Sequence, residues 1–279
     1  MATSMPAPDY SVTFACYNQV DYTRQCVDSM VRHGTPLDRL VVVDNASTDG
    51  TRDYLQTLPL GGRIFNHANL GCGVAWNQGA LALQTEWTIV MNNDVLVSRQ
   101  WIESLIGVAT KHGLKLISPA LIEGAHDYDF DSFATSASEK MKNALRASDR
   151  HAVCMAIHKS VWLEAGYFRA TPKLLGYEDT LFFHEIDKAK IPVGMTGASW
   201  LHHFGSITLS AIRQERGLTQ KDGLGDRRNY RLLKQSWLER KLSKIKRSRQ
   251  IDAWRSQELA QYGMTMHGLR QDGQFVWVG

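Results

Sequence analysis

No segment of this 279-residue chain reaches the roughly 18 uninterrupted apolar residues that a membrane-spanning helix needs, so no such span is expected. The opening MATSMPAPDY has neither a basic start nor an apolar core, and no secretory signal is expected from it. Cysteine is scarce. Cys16, Cys26, Cys72 and Cys154 follow no disulfide or metal-ligand spacing, which points to a reduced, cytoplasmic setting. GxSxG, HExxH, CxxC and Walker-type GKS or GKT motifs are all absent, and with them the usual signatures of serine hydrolases, zinc peptidases, thiol-redox proteins and P-loop enzymes. There is no internal repeat or low-complexity tract. Charge of one sign is scarce in total as well: 32 Lys plus Arg against 28 Asp plus Glu leaves +4, too little to imply a polyanionic partner.

What is present suits an ordinary globular protein, with 43% hydrophobic and 22% charged residues. At about 150 residues per domain, the length fits one large domain or a domain with an appendage. The segments 10–16, 39–44, 63–66, 87–92 and 115–122 are short apolar runs rather than alternating ones, the pattern of strands buried on both faces. Helical segments are expected between them at about 20–32, 50–58, 73–84 and 98–112. This alternation predicts an α/β fold with a mostly parallel central sheet. Residues 123–150 are polar and read as a loop with weak helix. A second α/β stretch follows, with an apolar run at 151–159, helices at 160–165 and about 178–190, and the segment IPVGMTGASWLHHFG. After 209 the only strand expected is the terminal QFVWVG.

Polar residues interrupt this apolar frame at five places. VVVDNASTDGT (41–51) delivers Asp44 and Asn45 to a strand end, where open α/β sheets bind ligands; the same residues also suit a helix-capping turn. NLGCGVAWNQGA (69–80) places Gly71 and Gly73 before a helix, but Trp76 stands where a dinucleotide fingerprint needs its third glycine. WTIVMNNDVLV (87–97) sets Asn92, Asn93 and Asp94 between apolar runs, a costly placement unless they are hydrogen-bonded or hold a hard cation. LLGYEDTLFFHEI (174–186) starts a helix with Glu178 and Asp179, either of which suits dipole stabilisation or general-base work. In GASWLHHFGSIT (197–208), His202 and His203 point oppositely if extended, so only one can face a given site.

Together with ACYN (15–18), these elements resemble, in order, the inverting glycosyltransferases of family 2 with the GT-A fold, over residues 10 to about 208. The nearest likeness is to the branch with rhamnosyltransferase-like and O-antigen or capsule enzymes. The resemblance implies a sugar transferred from a UDP- or dTDP-linked donor to a glycan or lipid-linked acceptor. Tyr17, Asn18 and Asp44 would lie at the base, with Asn45 and Gly71 in the same donor-binding set. Asn69 and Asn77 would sit near the ribose or donor sugar. NND stands for the family's DXD: Asp94 would hold Mg²⁺ or Mn²⁺, and Asn92 and Asn93 replace its first acid. His203 aligns better than His202 as the second metal ligand. Asp179 is the expected catalytic base, with Glu178 as its rival. A non-catalytic nucleotide-sugar-binding protein is one alternative. An NAD-dependent oxidoreductase is another, and it leaves NND and ED unexplained.

The modest total charge conceals two regions. Residues 227–255 carry eleven Lys or Arg against Glu239 and Asp252, a net +9, which leaves −5 for the rest of a chain totalling +4. Tyr230, Leu233, Trp237, Leu238, Leu242 and Ile245 recur there at helical spacing. The expected organisation is a catalytic domain over 1–208, with a nucleotide-binding part (10–120) and an acceptor-side part (121–208), followed by a mainly helical extension over 209–279. The basic amphipathic segment suits either packing on the domain or a peripheral contact with the inner face of the plasma membrane. It contains no recognisable nucleic-acid-binding module.

Overall fold

A computed structural model describes residues 8–170, 177–205, 207, 217, 233 and 236–278. Strands β1 (Tyr10–Cys16), β2 (Leu40–Asp44), β3 (Gly62–Phe65) and β4 (Trp87–Met91) run parallel in the order β3-β2-β1-β4. Helices α1 (Val20–Arg32), α2 (Thr51–Thr57) and α3 (Cys72–Ala82) connect them. Every residue of β2 and β4 is buried, as continuous apolar runs require. Alternate residues serve two cores: Ile89 and Met91 join one face of the sheet, and Val90 joins the other.

The second half adds β5 (Val95–Val97), α4 (Trp101–His112), β6 (Leu116–Gly124), α5 (Phe130–Met141), β7 (Leu145–Ala147), β8 (Cys154–His158), α6 (Lys159–Glu164), α7 (Glu178–Lys188) and β9 (Val193–His203). Here the sheet becomes mixed, because β8 enters antiparallel between β4 and β6. Strand β9 is bonded along both edges, parallel to β6 on one side and antiparallel to β7 and then β5 on the other.

Two segments differ from the sequence expectation. Residues 130–141, expected within a loop with weak helix, form the 12-residue α5. The Asp129 side chain caps it by accepting the Ser132 N–H, and Phe130, Ala134, Ala137 and Met141 supply a buried stripe. Small alanines made that stripe inconspicuous within a polar composition. Near the C-terminus, α8 (Trp237–Tyr262) is followed by a hairpin of β10 (His267–Gln271) and β11 (Gln274–Val278). Strand β10 pairs parallel with β6, so the last strands of the chain belong to the same sheet as the first. HGLRQ is too polar to read as a strand; a ready edge on β6 makes it one.

A buried ion cluster docks α8. Arg146 on β7 donates to both oxygens of Glu258, at 2.6 and 2.7 Å, and to Asp149 at 3.2 Å. Asp149 also accepts from Arg247 at 2.5 Å, and Glu258 accepts the Met266 N–H at 2.9 Å. Burial tends to raise the Asp149 carboxyl, but Arg247 and Arg146 outweigh it and hold it below its ordinary range. Such a cluster is worth little against an apolar replacement of the whole, yet removing one member strands a buried charge. Glu258→Leu is therefore expected to cost about 3–5 kcal/mol in urea unfolding; a loss under about 1 kcal/mol would show that Arg146 finds water or another partner.

Candidate active site

The carboxyl ends of β1, β2 and β4 open into a cleft of about 630 Å³, where open α/β sheets bind ligands. Tyr17, Asn45, Asn69, Asn92, Asn93, Asp94, Glu178, Asp179 and His203 all line it. Four other expected residues lie behind its wall. Asp44 is fully buried, and its carboxylate accepts from Arg52 Nε at 2.6 Å and from the Ser47 N–H at 3.2 Å. These bonds anchor the β2 end. Asn18 accepts the Thr48 N–H at 2.7 Å and ties the loops after β1 and β2 together. Gly71, at φ +86°, caps α3, and its N–H is taken by the Asn69 side chain at 3.0 Å. Asn77 spends both ends of its amide on the Phe168 backbone, at 2.7 and 3.0 Å.

Helix α3 owes its close approach to two glycines. A Cβ on Gly79 would overlap Thr13 on β1, so Gly79 does the packing work for which Trp76 is unsuited. A Cβ on Gly73 would stand 3.1 Å from the Cβ atoms of Glu178 and Phe168. Its absence lets the N-termini of α3 and α7 meet at the cleft. Tyr177, at φ +70°, precedes α7, and Glu178 and Asp179 form its first turn. Asp179 Oδ1 accepts the Thr180 N–H at 2.6 Å, which orients the carboxylate. Leu174–Gly176 of the same motif and Ser206 of the histidine motif lie outside the described residues.

Across the cleft, Asn93 turns to Thr23 on α1, donating at 2.9 Å. Asp94 and His203 meet because β5 and β9 pair with Val95 opposite His203. Asp94 Oδ1 lies 3.4 Å from His203 Nε2, and Asn92 Nδ2 lies 3.4 Å from the same nitrogen. The adjacent His202 faces the other way, bonded through Nδ1 to Tyr128 at 3.0 Å among His126, Phe130 and Phe204. Burial, with the neighbouring imidazoles, drives it down to about 3, so it is neutral. Burial also disfavours charge on His203, but Asp94 and Glu123 outweigh it and raise it to about 9.

The Asp94 carboxylate and the His203 imidazole are donors of the kind a hard cation takes. Oxygen and nitrogen ligands at about 2.1 Å from a six-coordinate ion sit roughly 3 Å apart when adjacent, close to the observed 3.4 Å. With His203 Nδ1 directed at Glu123, Nε2 is left as the coordinating atom. Among the described residues no group of three or more His, Cys, Asp or Glu side chains could hold a metal. A cation here would therefore take its other ligands from bound phosphate oxygens and water.

The profile of glycosyl transferase family 2 matches residues 11–169. The chain belongs to this family. It is 33% identical over 91 residues to a Bacillus subtilis (strain 168) protein described as a teichuronic acid biosynthesis glycosyltransferase, TuaG; the match covers 31% of this chain and 36% of that protein. The fold is similar to that of GalNAc-T7 solved with UDP, GalNAc and Mn²⁺ (TM-score 0.56, 15% identity, 72% of this chain and 44% of that one). It is also similar to the mannosyltransferase PcManGT of Pyrobaculum calidifontis solved with GDP-Man and Mn²⁺ (TM-score 0.52, 20% identity, 76% and 64%). TarS 1-349 of S. aureus is a further neighbour (TM-score 0.52, 15% identity, 74% and 63%). These neighbours are GT-A glycosyltransferases, and the oxidoreductase alternative falls with the family assignment.

Several functional-looking residues of this family 2 glycosyltransferase escaped the sequence reading. Asn66, read only as a strand end, bonds Asn45 and Gln78 at 2.9 Å each and braces the donor side. Glu123 and His267 extend the network behind His203. Arg150 and His151 line the cleft from the segment before β8. No local motif marks any of them; their proximity comes from strand register.

Cys72 also lines the cleft, and burial, then Glu178, Asp179 and Asp94, push its thiol well above its ordinary range. Cys16, Cys26 and Cys154 are buried and raised too. Because the thiolate is the nucleophile, native protein at pH 8 should take up iodoacetamide at least about tenfold more slowly than the urea-unfolded chain. Fast labelling of Cys72 in the native state would contradict this electrostatic picture.

Proposed function

We propose that this transferase is an inverting, divalent-cation-dependent enzyme that moves a sugar from a nucleotide-diphosphate donor, UDP- or dTDP-linked, to a hydroxyl of a glycan or lipid-linked acceptor in bacterial surface polysaccharide synthesis. The observation that carries the reading is one cleft lined by both the Asp94–His203 pair and the Glu178–Asp179 carboxylates. Relatives of the same fold were solved with UDP-sugar components or GDP-Man and with Mn²⁺, and the TuaG relative belongs to a wall-polymer pathway by its description.

In this reading residues 10–120 hold the donor, with Tyr17 and Asn69 on the nucleotide side, and residues 121–208 face the acceptor. Asp94 and His203 hold Mg²⁺ or Mn²⁺, which supplies positive charge against the departing diphosphate. Asp179 accepts the acceptor hydroxyl proton as that oxygen attacks the anomeric carbon, and one in-line attack inverts the centre. Arg150 and His151 sit at the cleft wall on the acceptor side.

Helix α8 adds a membrane-facing element. Leu238, Leu242 and Ile245 form an exposed stripe beside exposed Trp237, with Trp237 and Leu238 both 62% accessible. Arg240, Lys241, Lys244, Lys246 and Arg249 surround it. An exposed apolar stripe with basic flanks suits peripheral contact with anionic lipid. No described helix is long and apolar enough to cross a membrane. Tyr230 and most of 206–235 lie outside the described residues.

A donor-hydrolysis and transfer screen with UDP-, dTDP- and GDP-sugars and Mn²⁺ tests the chemistry. Asp179→Asn is expected to lower transfer by about 10²–10⁴-fold while nucleotide binding survives, and EDTA to stop turnover. Loss in Glu178→Gln with Asp179→Asn active would exchange the two roles. Metal-dependent nucleotide binding with no turnover on any donor would favour the non-catalytic alternative. For the membrane contact, co-sedimentation with phosphatidylglycerol vesicles should exceed that with phosphatidylcholine and fall in the Leu238→Ser/Leu242→Ser/Ile245→Ser protein; equal sedimentation would leave α8 a solvated helix.

A further inference from the structure

The carboxylate behind His203 comes from one strand and is itself held by another. His203 Nδ1 lies 2.9 Å from Glu123 Oε1, and Glu123 Oε2 lies 2.8 Å from His267 Nε2. Register brings the three residues together. Glu123 is the β6 residue opposite His203 of β9, and His267 of β10 is opposite Leu121, two residues before Glu123 on the same face of β6. Each oxygen of the Glu123 carboxylate thus meets one imidazole. The Glu123 and His267 side chains are about 30% exposed, whereas His203 is 7% exposed. The chain of contacts runs inward, from the C-terminal hairpin to the buried ring that faces Asp94.

We infer that Glu123, fixed by His267, is the positioning carboxylate for His203, and that the C-terminal strand β10 is therefore part of the cation-binding apparatus. The inference rests on Asp94 and His203 being the cation ligands. A histidine that binds a metal through one nitrogen generally presents its other N–H to a carboxylate, which fixes ring orientation and tautomer and strengthens the ligand. Without Glu123, the buried His203 ring would keep Asp94 on one side and lose its constraint on the other. His267 acts one step further out, by stopping the Glu123 carboxylate from swinging into solvent. Neither residue touches substrate. Residues 265–278 thus serve the site through two hydrogen bonds.

The test measures Mn²⁺ affinity by calorimetry on the full chain with UDP present, and UDP affinity without metal as the second readout. Glu123→Leu is expected to weaken Mn²⁺ binding by about 10–100-fold, with metal-free UDP binding unchanged. Glu123→Gln keeps an oxygen for the Nδ1–H and should recover most of that loss. His267→Leu should weaken Mn²⁺ several-fold, and His267→Gln, which retains an N–H donor, should be milder. Since the His267 side chain is partly exposed, its variants decide the matter if Glu123→Leu fails to fold. Mn²⁺ affinity unchanged in the Glu123 and His267 variants, but lost in His203→Leu, would overturn the inference and leave the ligand assignment standing. Unchanged affinity in His203→Leu as well would overturn the ligand assignment itself.

Discussion

The architecture turns on where β9 sits. It is hydrogen-bonded to β6 along one edge and to β7 and β5 along the other, so its last residue, His203, is held between Asp94 and Glu123. A histidine and an aspartate buried at 7% and 6% side-chain exposure would be costly alone. Paired, and backed by a second carboxylate, they are fixed in place at the cleft. A one-residue slip in β9 would exchange His203 for His202, and the cleft would receive a ring now buried among aromatics.

The carboxyl ends of β2 and β3 are held by neutral and charged polar networks. Asn45, Asn66 and Gln78 link the ends of β2 and β3 to α3, and Arg52 locks Asp44 in place. These bonds satisfy buried polar groups at the sheet's open end. They leave the loops after β1, β2 and β4 as fixed rims. The fold likeness to the solved glycosyltransferases, at TM-scores of 0.52 to 0.56, is a likeness of this frame. The chain spans only about a third of the curated relative it matches, 36% of its length.

Helix α8 behaves differently at its two ends. Its C-terminal half is bound to β7 through Arg146, Asp149 and Glu258, and the chain then returns to the sheet as β10 and β11. Residues 236–250 are exposed throughout. Six Lys or Arg against Glu239 thus stand on the exposed end of a helix whose other end is tied to the sheet.

Apolar runs, glycine positions and the order of polar interruptions were enough to determine the α/β class, most helix and strand positions, and nine of the residues lining the cleft. They act locally: a run buried on both faces is legible wherever it occurs, and VDNASTDGT or NND must follow such a strand. Other features depend on register between distant strands. The meeting of His203 with Asp94 and the addition of Glu123 and His267 were decided by which residues faced one another across β5, β6, β9 and β10. Helix α5 and strand β10 were hidden for the same reason. Their own residues are weakly apolar, and the surface that stabilises them is supplied by the rest of the sheet.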